Sequence, residues 1–455
     1  MRLQRAPSTP EDPHTALFFH DAGQLLTLAG PPAPRRGRDL EELGIVPGGA
    51  LLAVEGRIHA VGRTRDLRGE ARRLRARAID CHGCVVMPGF VDSHTHLVFA
   101  GSRVEDYVRR LKGATYEEIA KAGGGIRLTA RLVAQASSGE LAAQALGFLK
   151  EFAACGTTTV EVKTGYGLEV DQEIKLLRVI RRLAGDSPRG TAGVELVPTL
   201  LAAHALPAGF ERRREEYIDR IIGGLIPYAA RRGMAEFIDC FCDRGAFTVE
   251  ECRRVLEAGA ARGLVPRLHA EQLTRTGAAR LALDLNAASA DHLDHLSGAD
   301  IRALARSRTV ATLLPGSNLH VGAGRYAPAR RLIEAGAAVA LATDFNPGTS
   351  PTLNMQFILS LACSAMRLTP AEAIGAATIN AAYSLRRDAR LGSLEAGKQA
   401  DLTVMAVDDY RKIPYYLGWN HCVLTVKRGQ IVYSRPARDF AGPARQEVGE
   451  RKRDS

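Results

Sequence analysis

Histidine and aspartate residues in this sequence stand at spacings suited to metal binding. His94-Thr95-His96 ends a segment that has the pattern of a β-strand. Because residues i and i+2 of a strand lie on the same face, both imidazole rings can point into one site and share a metal ion. A single His-X-His pair is weak evidence on its own, since most isolated histidines are structural.

Three later strand-like segments end in residues of the same kind. His269 ends the fifth such segment, Asp291 and His292 lie in the sixth, and Asp344 ends the eighth. A set of three histidines and one aspartate that leaves a position for water suits a hydrolytic zinc or iron(II) site. The four strand ends together therefore predict a metal-dependent hydrolase.

These strand ends need a scaffold that gathers them at one place. The middle of the chain alternates strand and helix patterns, and its eight strand candidates are residues 85–96, 157–165, 194–204, 235–243, 264–272, 288–295, 309–316 and 338–348. Capping boxes at Thr115, Thr248 and Thr369, each with Glu three residues later, predict helix starts. The alternation predicts an α/β fold, a TIM-like (β/α)₈ barrel with its chemistry at the C-terminal strand ends. A doubly wound open sheet is the alternative, but it favours a glycine-rich turn after the first strand, where this chain has histidines.

Both ends of the chain have short strand patterns broken by glycine, and KRGQIVYS near the C-terminus echoes VEGRIHAVG near the N-terminus. We therefore predict one small β-sandwich built from both chain ends. The predicted boundaries are residues 1–87 for the N-terminal part of the sandwich, 88–391 for the barrel, and 392–455 for the C-terminal part and a polar tail.

Composition narrows the class of protein. The chain has 455 residues, 46% hydrophobic and 24% charged, which is typical of a globular protein with a large core. Its net charge is +11, but the arginine pairs are scattered, so nucleic-acid binding is poorly supported. No apolar run reaches the ~18 residues of a membrane span, and the N-terminus lacks the pattern of a signal peptide. We therefore expect a cytoplasmic protein without a membrane partner.

Seven segments give the sequence a specific resemblance. PGFVDSHTHLVFAGSR, GATYEEIAKAGGGI, EVKTGYGL, LHAEQL, SADHLDH, LLPGSN and LATDFNPGTSP together resemble the imidazolonepropionase family of the amidohydrolase superfamily, over about residues 15–435. The resemblance implies a barrel with a split β-sandwich. It also implies hydrolysis of the ring amide of an anionic small molecule, 4-imidazolone-5-propanoate, to N-formimidoyl-L-glutamate in L-histidine degradation.

The resemblance implies one Zn²⁺ or Fe ion per chain. The ligands at matching positions are His94, His96, His269 and Asp344. Relatives with two metal ions keep a carboxylated lysine on strand four, whereas Lys163 lies on strand two, which favours a single metal ion.

The resemblance also implies roles in substrate binding and catalysis. Arg103 would bind the substrate carboxylate with its planar guanidinium. The other implied substrate contacts are Tyr116, Tyr166, His204, Asn346, Gly348 and Thr349. His292 would polarise the ring carbonyl. Many family members have Glu three residues after the third metal histidine, where this chain has Gln272. An amide cannot accept a proton, so we expect Asp344 to be the general base and Gln272 to donate or accept a hydrogen bond at the substrate ring.

Two alternatives differ in chemistry. A heterocycle deaminase or another cyclic amidohydrolase of the same superfamily would use nearly the same metal ligands, and a deaminase would release ammonia. A non-enzymatic barrel would be expected to have lost metal ligands, and all four are present. The resemblance leaves a homodimer open.

Overall fold

The computed structural model describes residues 16–185 and 193–435. The predicted sandwich residues 1–15 and the polar tail from 436 onward lie outside the described residues. Within the described ranges, no helix combines the length and the apolar composition that crossing a membrane would require.

Sixteen strands are described. In chain order they are β1 (Leu17–Leu26), β2 (Ile45–Val54), β3 (Arg57–Arg63), β4 (Arg77–Asp80), β5 (Val85–Pro88), β6 (Phe90–Asp92), β7 (Thr157–Lys163), β8 (Glu195–Ala203), β9 (Phe237–Cys242), β10 (Val265–Ala270), β11 (Ser289–His292), β12 (Val310–Leu313), β13 (Val339–Leu341), β14 (Leu402–Met405), β15 (Cys422–Lys427) and β16 (Gln430–Ser434).

Helices separate most of the strands of the central region. They are α1 (Thr64–Arg73), α2 (Val104–Leu111), α3 (Tyr116–Lys121), α4 (Gly125–Gln135), α5 (Ser138–Ala154), α6 (Val170–Gly185), α7 (Arg214–Arg220), α8 (Ile226–Arg231), α9 (Val249–Ala260), α10 (Ala278–Asp284), α11 (Gly298–Ala305), α12 (Pro315–Val321), α13 (Ala329–Glu334), α14 (Met355–Met366), α15 (Pro370–Ala376), α16 (Ile379–Ser384) and α17 (Lys412–Tyr415). A 3₁₀-helix covers Gly37–Glu41, and a π-helical turn, Ile221–Leu225, joins α7 to α8.

Strands β6 to β13 form one parallel sheet in chain order. Its first and last strands meet just beyond their ends, where the Asp344 N–H donates to the carbonyl of His94 and the His96 N–H donates to the carbonyl of Phe345. A parallel bridge between Thr95 and Phe345 completes this junction. The predicted eight-stranded barrel is thus confirmed, and the open-sheet alternative is excluded because the two edges pair with each other.

The strands from the two chain ends pair in a second sheet. Its order is β16-β15-β14-β5-β1-β2-β3, with β4 beside β1, and the antiparallel β5–β14 ladder joins the N-terminal half to the C-terminal half. The structure divides the first predicted barrel strand at Gly89, because Val85–Pro88 pairs in this second sheet and only Phe90–Asp92 enters the barrel. A side chain at Gly89 would collide with Thr158 of β7, so the crossing between the two sheets requires glycine.

Local sequence explains why these elements form. All seven residues of β7 are buried, as expected for a barrel strand that has one face in the barrel interior and the other under the outer helices. The three predicted capping boxes are confirmed. Thr248 and Thr369 each accept a hydrogen bond from the backbone N–H of the Glu three residues later, while that Glu accepts one from the threonine N–H. Thr115 and Glu118 make the same reciprocal pair before α3.

Candidate metal centre and substrate pocket

Five predicted side chains converge at the C-terminal mouth of the barrel. His94 and His96 follow β6, His269 lies in β10, His292 ends β11, and Asp344 follows β13. All five are at least 96% buried. The imidazole centroids of His94 and His269 are 4.5 Å apart, and those of His94 and His96 are 5.5 Å apart. The barrel therefore brings together residues that are up to 250 positions apart in the chain (94 to 344).

His94 is common to two overlapping sets of potential metal ligands. The ligand atoms of His94, His96 and Asp344 lie within 4.8 Å of one another, and so do those of His94, His269 and His292. Asp344 Oδ1 is 3.6 Å from the Nε2 atoms of both His94 and His96. The geometry therefore accommodates the predicted ligands, and it also places His292 against two of them.

The chemistry of these atoms fits a metal ion. The Nε2 atoms of His94 and His269 are buried, and neither has a hydrogen-bond partner among the residues that the structure describes. Burial and the charge of Lys163 hold the pKa of His94 well below its usual range, and burial and His204 do the same for the pKa of His96. A divalent ion binds neutral imidazole, so unpartnered, deprotonated nitrogens are the state that a metal site requires.

Two buried carboxylates contact the Nδ1 atoms of two of the histidines. Asp291 Oδ2 accepts a 2.7 Å hydrogen bond from His94 Nδ1, and Asp239 Oδ2 lies 3.0 Å from His269 Nδ1. Carboxylates in this position fix the ring orientation and leave Nε2 for the metal. Sequence reasoning gave Asp291 no separate role and missed Asp239. The available signal was an aspartate in the otherwise apolar strand FIDCFC.

Lys163 lies beneath these carboxylates and is part of an ion-pair layer. Its Nζ is 2.8 Å from both Glu161 Oε1 and Asp239 Oδ2, and all three side chains are fully buried. Burial alone would lower the pKa of Lys163, but Asp239 and Glu161 outweigh burial and raise it. Lys163 is thus paired with two carboxylates, and the single metal ion expected from its position on the second strand stays a prediction.

Two of the converging residues adopt left-handed backbone conformations. The φ angle is 76° at His292 and 54° at Asp344. Non-glycine residues with positive φ are uncommon, and they concentrate at functional sites where surrounding contacts hold them in place. Asp344 is held by its neighbour Thr343, whose N–H and hydroxyl both donate to the carboxylate of Asp92. These turns point the side chains into the mouth after the regular strands have ended.

Arg103 lies buried at the start of α2. Its Nε donates to Asp106 Oδ2 at 3.2 Å, and the same oxygen accepts from the Gly125 N–H at the start of α4. The guanidinium lies against Gly348, where a Cβ atom would come within 2.3 Å of Nη1. Neither Nη atom donates to a described residue. The two Nη atoms of the guanidinium are therefore available to bind an anion. Asp106 is a positioning residue that sequence reasoning missed.

Tyr166 and His204 border the histidine cluster. The ring of His204 stacks on His96 with centroids 5.3 Å apart, and Tyr166 lies 5.7 Å from His96 and 5.4 Å from His204. Tyr166 and His204 are both more than 90% buried. Burial and the charge of His269 lower the pKa of His204 to about 3. Tyr116 begins α3, but its side chain lies outside the described residues.

The loop after β13 uses its polar groups internally. Asn346 Oδ1 accepts hydrogen bonds from the N–H groups of Gly348 and Thr349, both at 2.8 Å. Asn346 Nδ2 donates to the carbonyl of Asp344 and to Thr349 Oγ1. These bonds fix the loop against the Asp344 turn, so any substrate contact by these groups would have to replace one of them.

Gln272 is half-buried in the loop after β10 and makes no hydrogen bond to a described residue. The adjacent Glu271 cannot stand in for the family's glutamate, because its carboxylate accepts from the N–H groups of Thr276, Gly277 and Ala279 at the start of α10. Asp243 holds the same loop by accepting from the Leu273 N–H and the Thr274 hydroxyl. The loop is therefore fixed around Gln272, whose side chain stays free to meet a ligand.

Comparison with known proteins agrees with this geometry. Residues 203–432 and 77–125 match the amidohydrolase family. An imidazolonepropionase of Chloroflexus aggregans is 46% identical over 426 residues, covering 91% of this chain and 98% of that protein. One from Geobacillus kaustophilus is 45% identical over 419 residues, covering 91% and 97%. Among solved structures, a triazine hydrolase variant superposes with a TM-score of 0.69 at 18% identity, covering 93% and 96%, and this likeness bears on the fold alone.

Proposed function

The chain belongs to the imidazolonepropionase family of the amidohydrolases, and from this premise we propose how its residues carry out the family's reaction. The enzyme is a hydrolase that opens the ring amide of 4-imidazolone-5-propanoate to give N-formimidoyl-L-glutamate in L-histidine degradation. The observation that carries the residue assignment is that the buried Nε2 atoms of His94 and His269 have no hydrogen-bond partner among the described residues, and that of His94 lies 3.6 Å from Asp344 Oδ1.

The proposed ligands of one Zn²⁺ or Fe ion are His94, His96, His269 and Asp344. When bound, a divalent ion acidifies a water molecule and polarises the carbonyl that is attacked. Asp291 and Asp239 hold the rings of His94 and His269 through their Nδ1 atoms. A ring nitrogen of His292 lies within 4.8 Å of a ring nitrogen of His94 and of His269, but we assign His292 to the substrate.

Three residues act on the reacting amide. His292 donates a hydrogen bond to the ring oxygen as negative charge develops there. The Asp344 carboxylate takes the proton of the attacking water and passes it to the ring nitrogen that leaves. Gln272 contributes a hydrogen bond to the ring and takes no proton.

The remaining groups bind the substrate. Arg103 pairs with the propanoate carboxylate through the Nη atoms that Asp106 and Gly348 leave free. Tyr166 and His204 line the pocket next to His96, and Tyr116 is proposed to join them. The loop of Asn346, Gly348 and Thr349 closes the pocket on the Asp344 side and supports the Arg103 guanidinium.

The test of the reaction is the loss of imidazolone absorbance on addition of purified enzyme, with and without a chelator. We expect turnover that the chelator abolishes and that added Zn²⁺ or Fe²⁺ restores. Release of ammonia from guanine or cytosine with no attack on the imidazolone would instead support a deaminase. Turnover unaffected by prolonged chelation would overturn the assignment of a metal ion.

The ligand set has a separate test. His269→Ala should abolish both metal retention and activity, because it removes one of the two unpartnered Nε2 donors. His421→Ala is the matched control. His421 is also buried, but it lies just before β15 of the chain-end sheet and is not one of the proposed ligands. Metal content and activity are measured on the same preparations of both variants. A full metal content in His269→Ala would remove His269 from the ligand set.

A further inference from the structure

In the segment that carries Tyr166, three backbone N–H groups bind one buried carboxylate. We call residues 164–168, between β7 and α6, the Tyr166 loop. The N–H groups of Gly165, Gly167 and Leu168 donate to the carboxylate of Glu173, at 2.9, 2.6 and 2.9 Å. Three consecutive or near-consecutive N–H groups that converge on one anion form a backbone nest. The shape of the loop therefore depends on a side chain from the first turn of α6.

Glu173 has no other charged partner. Its side chain is fully buried, and no described Lys, Arg or His lies within ion-pair distance of it. Asp239 and Asp291, the carboxylates that contact the Nδ1 atoms of His269 and His94, do have a cation or an imidazole next to them. A buried charge without a counter-ion persists only where hydrogen bonds replace its hydration. The backbone of the Tyr166 loop supplies those bonds.

The two glycines of the loop have no room for a side chain. A Cβ atom at Gly167 would come within 2.4 Å of the Glu173 nitrogen and 2.7 Å of its Oε1. Gly165 has a φ of 106°, and a Cβ atom there would come within 2.9 Å of His204 Nδ1. The Tyr166 loop thus packs directly between Glu173 on one side and His204 on the other.

The loop also determines the tautomer of His204. The Gly165 carbonyl lies 2.9 Å from His204 Nδ1, and a carbonyl can only accept a hydrogen bond. Nδ1 therefore carries the proton, and Nε2 of the neutral ring is an acceptor. Both the orientation of His204 and the placement of Tyr166 depend on where the backbone of Gly165–Leu168 lies.

We propose that Glu173 is a positioning residue for substrate binding, which acts through the Tyr166 loop to set Tyr166 and His204 against the substrate. This inference rests on the proposed function, in which these two residues line the substrate pocket. Glu173 touches neither a proposed metal ligand nor the reacting amide. Its loss should therefore weaken substrate binding and leave metal content intact.

The experiment compares Glu173→Gln and Gly167→Ala with wild-type holoenzyme. The amide of Gln turns an NH₂ group towards N–H donors. The Ala methyl collides with the backbone at the start of α6 as well as with the Glu173 carboxylate, so both variants loosen the nest. We expect KM for the imidazolone to rise by roughly 10-fold or more, the effect of one or two misplaced polar contacts. We expect kcat to change by less than about 3-fold and the metal content to equal that of wild type, because the ligands are not touched.

Glu372→Gln is the matched control. Glu372 is also buried and takes part in the capping box at the start of α15. Its carboxylate accepts hydrogen bonds from the Thr369 N–H and from Arg330. Its substitution should lower the melting temperature without moving KM. Hydrogen–deuterium exchange adds a readout of the loop itself, because the amides of Gly165, Gly167 and Leu168 should exchange faster in the two loop variants and at the wild-type rate in Glu372→Gln.

The outcomes separate this inference from the proposed function. Absence of turnover in the wild-type holoenzyme would overturn the proposed function. Normal wild-type turnover together with an unchanged KM in both loop variants would overturn the role of Glu173. A fall in kcat or metal content in parallel with KM would also overturn it, since the residue would then support the metal centre. If Glu173→Gln does not fold, Gly167→Ala alone carries the same test.

Discussion

At the scale of single residues, His292 separates catalysis from metal binding. It ends β11 in a left-handed conformation, and its Nδ1 is buried without a hydrogen-bond partner among the described residues. His292→Ala should lower kcat by about 10²–10³, the usual effect of removing one donor to a developing oxyanion. KM should change little, because the interaction forms mainly in the transition state. Metal content and kcat are to be measured on one preparation.

The control for this prediction is His295→Ala, a half-buried histidine in the loop that follows β11. It should retain near-normal kcat. Loss of metal from His292→Ala would instead make His292 a ligand, as the second set of close nitrogens allows. Near-normal turnover by metal-replete enzyme would remove it from the mechanism.

Arg103 tests how the substrate carboxylate is recognised. Arg103→Lys keeps the charge but loses the planar fork, so KM should rise by roughly 10- to 150-fold, or ~1.5–3 kcal/mol for a charge-assisted pair. Arg109→Lys, an exposed position on the same helix, should leave KM unchanged. Steady-state kinetics checks both variants, and equal KM values for Arg103→Lys and wild type would place Arg103 outside the pocket.

At the scale of elements, the loops beyond the strands decide how the site is shaped. The loop after β13 approaches the Arg103 guanidinium so closely that position 348 has no room for a side chain. Gly348→Ala should push the guanidinium away from its place on Asp106 and raise KM about 10-fold or more, the effect of losing a charge-assisted contact. Stability should fall little, because the displaced group is the end of a flexible side chain.

Gly147→Ala is the control for this substitution. Gly147 lies inside α5, and nothing comes within 4 Å of the Cβ atom that alanine would add. Alanine there should be neutral or stabilise the helix by ~0.5–1 kcal/mol. Melting temperature and KM measured for both variants distinguish a local effect on Arg103 from a general effect of replacing glycine. A Gly348→Ala enzyme with wild-type KM would contradict the close packing.

At the scale of the whole molecule, a cluster of ion pairs joins the barrel to the chain-end sheet. Glu195 at the start of β8 lies 3.0 Å from Lys427 Nζ of β15 and 3.2 Å from both Arg390 and Arg428. Lys427 also pairs with Asp401 at 2.7 Å. We propose that the contacts of Glu195 with Lys427 and Arg428 join two structural units, residues 1–87 with 392–455 and residues 88–391, while Arg390 and Asp401 each pair within their own unit.

The pH dependence of stability tests this cluster. Burial would raise the pKa of Glu195, but Lys427, Arg390 and Arg428 outweigh burial and lower it from 4.5 to about 2. A carboxyl whose pKa is lower in the folded state stabilises it fully above the unfolded pKa, and this contribution disappears as pH falls through the folded pKa. The shift corresponds to at most ~3 kcal/mol at neutral pH.

Glu195→Gln should therefore lower the free energy of unfolding most at pH 7. The difference from wild type should shrink between about pH 4.5 and pH 2, where the wild-type carboxyl takes up its proton. Urea unfolding of both proteins across this pH range measures the difference in the free energy of unfolding. Glu216→Gln is the control, because its ion pairs with Arg213 and Arg220 are exposed and should contribute less than ~1 kcal/mol. A pH-independent difference would contradict the ionic origin of the effect.

Patterns in the amino-acid sequence were enough to predict the strands and helices and most of the residues that meet at the site. Burial patterns and capping boxes are local, because a strand or a helix start is specified by residues a few positions apart. For this reason the eight barrel strands, the three capped helices and the convergence of His94, His269 and Asp344 could all be predicted. The pairing of both chain ends in one sheet followed from matching strand patterns, although the break at Gly89 did not.

The groups that hold the site in place could be identified only from the folded barrel. Asp239 behind His269, Asp106 beside Arg103 and Glu173 beneath Tyr166 are ordinary acidic residues in the sequence, and nothing nearby reveals their partners. The choice of Glu271 as a helix cap, and not as a substitute for Gln272, likewise depends on which way the backbone turns at 271. Such contacts join backbone and side-chain atoms from different elements, and the folded barrel sets their distances.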